Sequence, residues 1–242
     1  INELFKEEKP EVKIVNPISS DLNVLRNSIF PNLLFYLKKN LDRGFKDISL
    51  FEIGPAFKGK KPGDQITVVC GIKKQIYNEE NQFKENHLDV FDIKQNLIQT
   101  IVELGVDKDE LTISDETPSY YHPGISGSVF SKDRKYLFAY FGQIHPKITN
   151  VSYGFEIFLE NLVNFKNKNK KNKESLLLSD YQKSDRDFAF LVNKNIKAQL
   201  LVDAIQSVDK SLIKKIKIFD VYEGENIPSD KKSIALKVTI QS

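Results

Sequence analysis

The chain has 242 residues and a mass of 27.8 kDa, enough to bury one or two cores. Hydrophobic residues make up 40% and charged residues 29%, which excludes an intrinsically disordered chain, and a net charge of +3 is too small to argue for nucleic acid by itself. No apolar run approaches the roughly 20 residues of a bilayer span, and no secretory signal is visible. The single Cys70 lies in the apolar run 66–70. It supports neither a disulfide nor a zinc framework and reads as a buried thiol in a reducing, cytoplasmic compartment. Lysine, asparagine and isoleucine abound as they would under an AT-rich coding bias, so individual lysines carry little weight as phosphate ligands. The chain begins at Ile1 and has no methionine, as expected of a segment of a longer protein or of a sequence from which modified methionines are missing.

The first helix is expected after Ser28, a capping residue, with Pro31 in its first turn and Gly44 beyond its end. Ile29, Leu33, Leu34, Leu37 and Leu41 recur at helical spacing and form one apolar face. Strands are expected over 48–53 and 65–72, separated by Gly59, Pro62 and Gly63. The stretch 90–104 reads as a short strand running into an amphipathic helix with Ile93, Leu97, Ile98, Ile101 and Leu104 inward. Further antiparallel strands are expected over 126–130, 136–142 and 155–159. Strands and helices without regular alternation argue for an α+β fold.

A boundary falls at 165–174, where Lys166 to Lys173 are all lysine or asparagine with no apolar residue. Such a run is a linker; it reads more naturally as a solvated spacer than as a basic arm on RNA phosphates. Beyond it come a strand over 186–192 with Phe188, Phe190 and Val192 on one face, and a helix over 196–208 with Leu200, Leu201, Ala204 and Ile205 inward. Strands over 213–222 and 234–240 follow. The order βαββ opens a ferredoxin-like unit. In the usual strand order the first strand is left at an open edge, which suggests a truncated unit.

Several strings then carry a resemblance. Asn16-Pro17-Ile18-Ser19-Ser20-Asp21, with Leu25-Arg26 and Pro31, and Leu50-Phe51-Glu52-Ile53-Gly54 with Phe57, recur in order with Val90-Phe91-Asp92-Ile93-Lys94, His122-Pro123-Gly124, Gly142-Gln143-Ile144-His145-Pro146 and Phe155-Glu156. Arg186-Asp187-Phe188-Ala189-Phe190, Phe219-Asp220-Val221-Tyr222-Glu223-Gly224 and Lys232-Ser233-Ile234-Ala235-Leu236 follow. This ordered set resembles the C-terminal part of the bacterial phenylalanyl-tRNA synthetase β-subunit family. Ile125 stands where that family usually has arginine, and the stretch between Pro146 and Phe155 is shorter than the family's. The resemblance implies an inactive class II synthetase-like module over 1–165, a basic linker over 166–174, and a ferredoxin-fold anticodon-binding domain over 175–242, incomplete at its C-terminus.

It also implies anticodon contacts at Ala189, Asp220, Tyr222 and Ser233. Tyr222 would offer a stacking face and Asp220 an acceptor for guanine N–H groups. Taken without the resemblance, Asp220 reads as a turn cap and Tyr222 as a half-buried strand aromatic. Arg186, Lys215 and Lys217 are weaker candidates for tRNA phosphates, with Lys214 on the opposite strand face from Lys215 and Lys217. No catalytic residue is expected on the chain. Glu52 has no arginine beside it in sequence, no glycine-rich phosphate loop is present, and three scattered histidines make no zinc site. His122 and His145, each before a proline, read as structural hydrogen-bonders. Glu52, Asp89 and Asp92 read as solvated or ion-paired rather than as an acid/base pair.

The implied function is that of the non-catalytic subunit of a phenylalanine–tRNA ligase. It would dock an α subunit through the helix near 29–41 in an (αβ)2 heterotetramer and bind tRNA(Phe), with no membrane and no DNA partner. ATP and magnesium would serve the holoenzyme with none held on this chain. The alternatives are a free-standing RNA-binding or scaffold protein reusing the same modules, or an independent enzyme built on the first of them.

Overall fold

Four α-helices, one short 3-10 turn and eleven strands form among the residues that the computed structural model describes, which are 12–19, 23–75, 88–168 and 179–242. The chain divides into two compact units, Ile1–Lys171 and Asn172–Ser242.

In the first unit β1 (Val12–Lys13) and β2 (Val24–Leu25) make a small antiparallel pair. Helix α1 (Phe30–Leu41) follows, with Pro31 in its first turn, where a missing N–H costs nothing. Ile29 occupies the cap position; the Ser28 hydroxyl instead accepts from the Phe30 N–H at 3.2 Å, one residue early for the expected cap. Ile29, Phe30, Leu33, Leu34 and Leu37 are buried, Leu41 partly so, and Gly44 ends the turn at φ +86°. Ser20 and Asp21 of the first motif lie outside the described residues.

Strands β3 (Asp47–Phe57), β4 (Gln65–Gln75), β5 (Leu111–Ser114), β6 (Tyr121–Ser131), β7 (Leu137–Ile144) and β8 (Tyr153–Phe158) build an antiparallel sheet in the order β3-β4-β8-β7-β6-β5. Helix α2 (Val90–Glu103) starts directly at Val90 with no strand before it. Asp89 accepts from the N–H groups of Phe91 (2.7 Å) and Asp92 (3.1 Å), and Asp92 accepts from that of Asp89 (2.8 Å), a reciprocal capping box that fixes the helix start. Asp89 and Asp92 are thereby a helix cap. Ile93, Leu97 and Ile101 are buried, while Leu104, expected inward, ends the helix exposed.

Helix α3 (Leu159–Lys168) was not foreseen. It takes Leu159, expected in a strand, and the first three residues of the expected linker, because Leu162 and Phe165 anchor it to the core; 169–174 lie outside the described residues. One sheet face packs on α1 and the other on α2 and α3. His122-Pro123-Gly124 lies inside β6 at a break in register rather than in a turn between strands.

The second unit holds β9 (Ser184–Asn193), α4 (Ala198–Val208), β10 (Ile213–Tyr222) and β11 (Lys231–Ile240). Its sheet runs β10-β11-β9, so β9 is an edge, as the βαββ order predicts. Leu201 and Ile205 of α4 pack with Phe190, Ile216, Ile218, Leu236 and Val238. Leu200 and Ala204, expected inward, are exposed, because the face that meets the sheet is the narrower one through Leu201 and Ile205.

Candidate nucleic-acid interface

On β11 the side chains of Ile234, Leu236 and Val238 are buried toward α4, so by strand alternation Ser233, Ala235, Lys237 and Thr239 point to the opposite face. Residues paired across strands share a face, and the register therefore lays out that second face in rows. Ala189, Ala235 and Asp220 form one row; Leu191, Ser233 and Tyr222 form the next. Ala189, Asp220, Tyr222 and Ser233 thus meet on one surface, about 10 Å across the strands and about 7 Å along them. Tyr222 is 46% exposed and Asp220 is exposed. Among the described residues the Asp220 carboxylate has no hydrogen-bond or ion-pair partner.

The arrangement depends on a bulge. The register of β10 on β11 shifts between Ile218 and Asp220, leaving Phe219 as the extra residue. Strict alternation from Lys217 would have placed Phe219 and Val221 on this face and turned Asp220 and Tyr222 toward α4. Simple alternation misses this, yet a signal was present. The apolar positions of the strand change parity from Ile216 and Ile218 to Phe219 and Val221, the mark of an inserted residue.

Further rows hold Asp187, Lys237 and Lys217, then Asp185, Thr239 and Lys215. Lys215 and Lys217 share the face with Asp220, and Lys214 is the extra residue of a second bulge, between Ile213 and Lys215. Lys237, not anticipated, lies across from Lys217 on the neighbouring strand, with its ammonium 3.8 Å from Asp187. Arg186 pairs with Val238 and therefore projects on the α4 side; the structure does not bring it to the surface of Asp220 and Tyr222.

The Tyr222 ring rests against the turn after β10. A Cβ on Gly224 would lie 2.6 Å from the Tyr222 hydroxyl oxygen and 2.8 Å from Cζ, and the hydroxyl donates to the Glu225 carbonyl at 3.3 Å. Lys194 and Glu223 form an ion pair at 3.1 Å, and the Lys194 N–H donates to the Asp230 carbonyl at 2.9 Å, tying the loop after β9 to both ends of this turn.

The first unit offers a second place to look for chemistry. Glu52, Cys70, Glu156, Tyr140, Ser128 and Ser114 form one row across all six strands. The face they share is filled. Phe30, Tyr120 and Tyr121 pack over it at tilted and edge-on angles with ring centroids 5.0–5.9 Å apart, and the Tyr120 hydroxyl donates to Glu156 at 2.6 Å. Burial, reinforced by the Glu156 charge, pushes the phenols of Tyr120 and Tyr121 and the Cys70 thiol well above their ordinary values. That is the signature of an inert interior thiol rather than a nucleophile.

Arg26, arriving from β2, ion-pairs with Glu52 and donates from Nε to the Pro55 carbonyl at 3.1 Å, a spatial neighbour that the sequence around Glu52 does not reveal. His122 Nδ1 accepts from the Gly124 N–H (3.0 Å) and His145 Nδ1 from the Lys147 N–H (3.1 Å), both structural bonds. Among the described residues no group of three His, Cys, Asp or Glu side chains could hold a metal ion, and no helix is long and apolar enough to cross a membrane.

Comparison with known proteins agrees with this division. Residues 1–156 match the family model described as "Phenylalanyl tRNA synthetase beta chain CLM domain", and residues 179–242 match "Ferredoxin-fold anticodon binding domain". The "Phenylalanine--tRNA ligase beta subunit" of Paramagnetospirillum magneticum is 39% identical over 96% of this chain, and that of Bartonella quintana 38% identical over 96%. The chain spans about 30% of the length of each of these relatives. A solved pyrrolysyl tRNA synthetase from Desulfitobacterium hafniense aligns with 65% of this chain and 53% of its own, at 19% identity and a TM-score of 0.45.

Proposed function

Because the chain belongs to the family of phenylalanyl-tRNA synthetase beta chains, we propose that it reads the tRNA anticodon and docks the catalytic subunit of a phenylalanine–tRNA ligase. The observation that carries the reading is the single exposed face on which Ala189, Asp220, Tyr222 and Ser233 converge. Unpaired bases are recognised by stacking on aromatic rings and by hydrogen bonds along their edges. On this face the Tyr222 ring takes the base and the Asp220 carboxylate accepts the ring N–H and amino groups of a guanine. Ser233 donates or accepts beside them, and Ala189 leaves the space that the base fills. Phenylalanine anticodons begin with guanine, which suits a carboxylate acceptor.

Lys215 and Lys217, further along the same face, supply sequence-blind attraction to the phosphates, with Lys237 across from Lys217. Bond-making falls to the partner α subunit, with ATP and magnesium there, in an (αβ)2 heterotetramer in the cytoplasm. The first sheet of this chain does not fit a nucleotide. Its polar row is covered by Phe30, Tyr120, Tyr121 and α1, and Arg26 is committed to Glu52 and Pro55. The outer side of α1, where Phe35 (60% exposed) and Tyr36 (52%) meet edge to face at 5.4 Å, supports docking of the α subunit there.

Tyr222→Ala tests the anticodon reading. It removes the stacking ring and should weaken tRNA(Phe) binding by about 1–3 kcal/mol. Unchanged affinity would count against the assignment. Co-purification with an α subunit separates a ligase subunit from a free-standing RNA-binding protein.

A further inference from the structure

Gly224 has no backbone reason to be glycine. It is not among the positive-φ positions, and the left-handed residue of this turn is Asn226 at φ +73°. What a side chain there would meet is the Tyr222 ring itself, with the hydroxyl oxygen at 2.6 Å, Cζ at 2.8 Å and Cε2 at 3.4 Å from the added Cβ. All three atoms belong to the outer end of a side chain that can rotate away. We infer that Gly224 is a positioning residue for the base-stacking ring: its missing side chain is the seat that holds Tyr222 against the turn, with one ring face outward and the hydroxyl at the Glu225 carbonyl. This rests on the anticodon reading of the face and deepens it.

A methyl group at 224 pushes the ring off its seat without straining the backbone, so fold and stability should survive while the platform is lost. The bond from Tyr222 to the Glu225 carbonyl, which such a shift would break, is exposed and long.

The test uses the full 242-residue chain and an anticodon stem-loop RNA whose anticodon begins with guanine. Gly224→Ala, Tyr222→Ala and the double variant are titrated by fluorescence anisotropy, with thermal midpoints measured alongside. Gly224→Ala should weaken binding about threefold or more, up to the roughly 5- to 150-fold that complete loss of a stacked base costs, and the same change in the Tyr222→Ala background should do nothing further. Gly224→Ala binding as tightly as wild type, while Tyr222→Ala is weak, overturns the inference and leaves the anticodon reading standing. Equal losses in both backgrounds overturn it too, since the effect then bypasses the ring, and so does a Gly224→Ala chain that fails to fold. If neither Tyr222→Ala nor Gly224→Ala changes affinity, the anticodon reading itself fails.

Discussion

Asp220→Asn isolates hydrogen-bonded readout from stacking. The side chain projects from β10 beside Ala235 and Ala189, whose methyl groups leave its carboxylate open to a ligand. The edge of a guanine presents two adjacent donors, and a carboxylate accepts both. An amide accepts one and sets its own NH2 against the other. Bonds to a charged acceptor are worth about 1.5–3 kcal/mol, and the exposure of Asp220 sets the loss near the lower end, about 1.5 kcal/mol or roughly tenfold in affinity. The assay is anisotropy with two stem-loops that differ only in the first anticodon base, guanine or adenine. Wild type should prefer the guanine loop; Asp220→Asn should lose about tenfold on that loop and little on the other. A variant that keeps the wild-type preference refutes the assigned role, whatever its absolute affinity.

Two other outcomes follow from the same geometry. Lys217→Ala should reduce the slope of log affinity against log salt by about 0.7, the value for one phosphate contact on a single strand, whereas Arg186→Ala, on the α4 side, should leave that slope unchanged. Asp209 accepts from the Ser211 hydroxyl (2.7 Å) and from the N–H groups of Ser211 (2.8 Å) and Leu212 (2.9 Å), which hold its carboxyl below the usual value. A depressed folded value stabilises above the unfolded pKa of about 3.9 and is lost as pH falls through the folded one, so Asp209→Asn should flatten the acid-side drop of the thermal midpoint.

Much of this molecule was legible before its structure, and the failures have physical causes. Strong periodicity placed α1, the six-residue core of β3 and the βαββ order, because each has one face that must be buried. The four anticodon candidates came from resemblance, and the structure brings them to one surface. Their common face was not deducible from alternation, since the extra residue Phe219 reverses the parity of β10. The start of α2 is hidden in the sequence because Val90 and Phe91 favour strands, while the Asp89–Asp92 capping box, a local hydrogen-bond device, decides for the helix. Helix α3 was hidden by its polar end: Leu162 and Phe165 carry its packing, and the lysines and asparagines after them read as linker. The Arg26–Glu52 pair joins residues 26 positions apart, a long-range contact that no local pattern announces.

Amide chemical-shift mapping of the chain with a guanine-first anticodon stem-loop is the most direct trial. Shifts clustered at Ala189, Asp220, Tyr222, Ser233 and Ala235, with Arg186 and Phe188 undisturbed, are what the account predicts. Shifts concentrated on α4, or on the Glu52–Glu156 row of the first sheet, would contradict it.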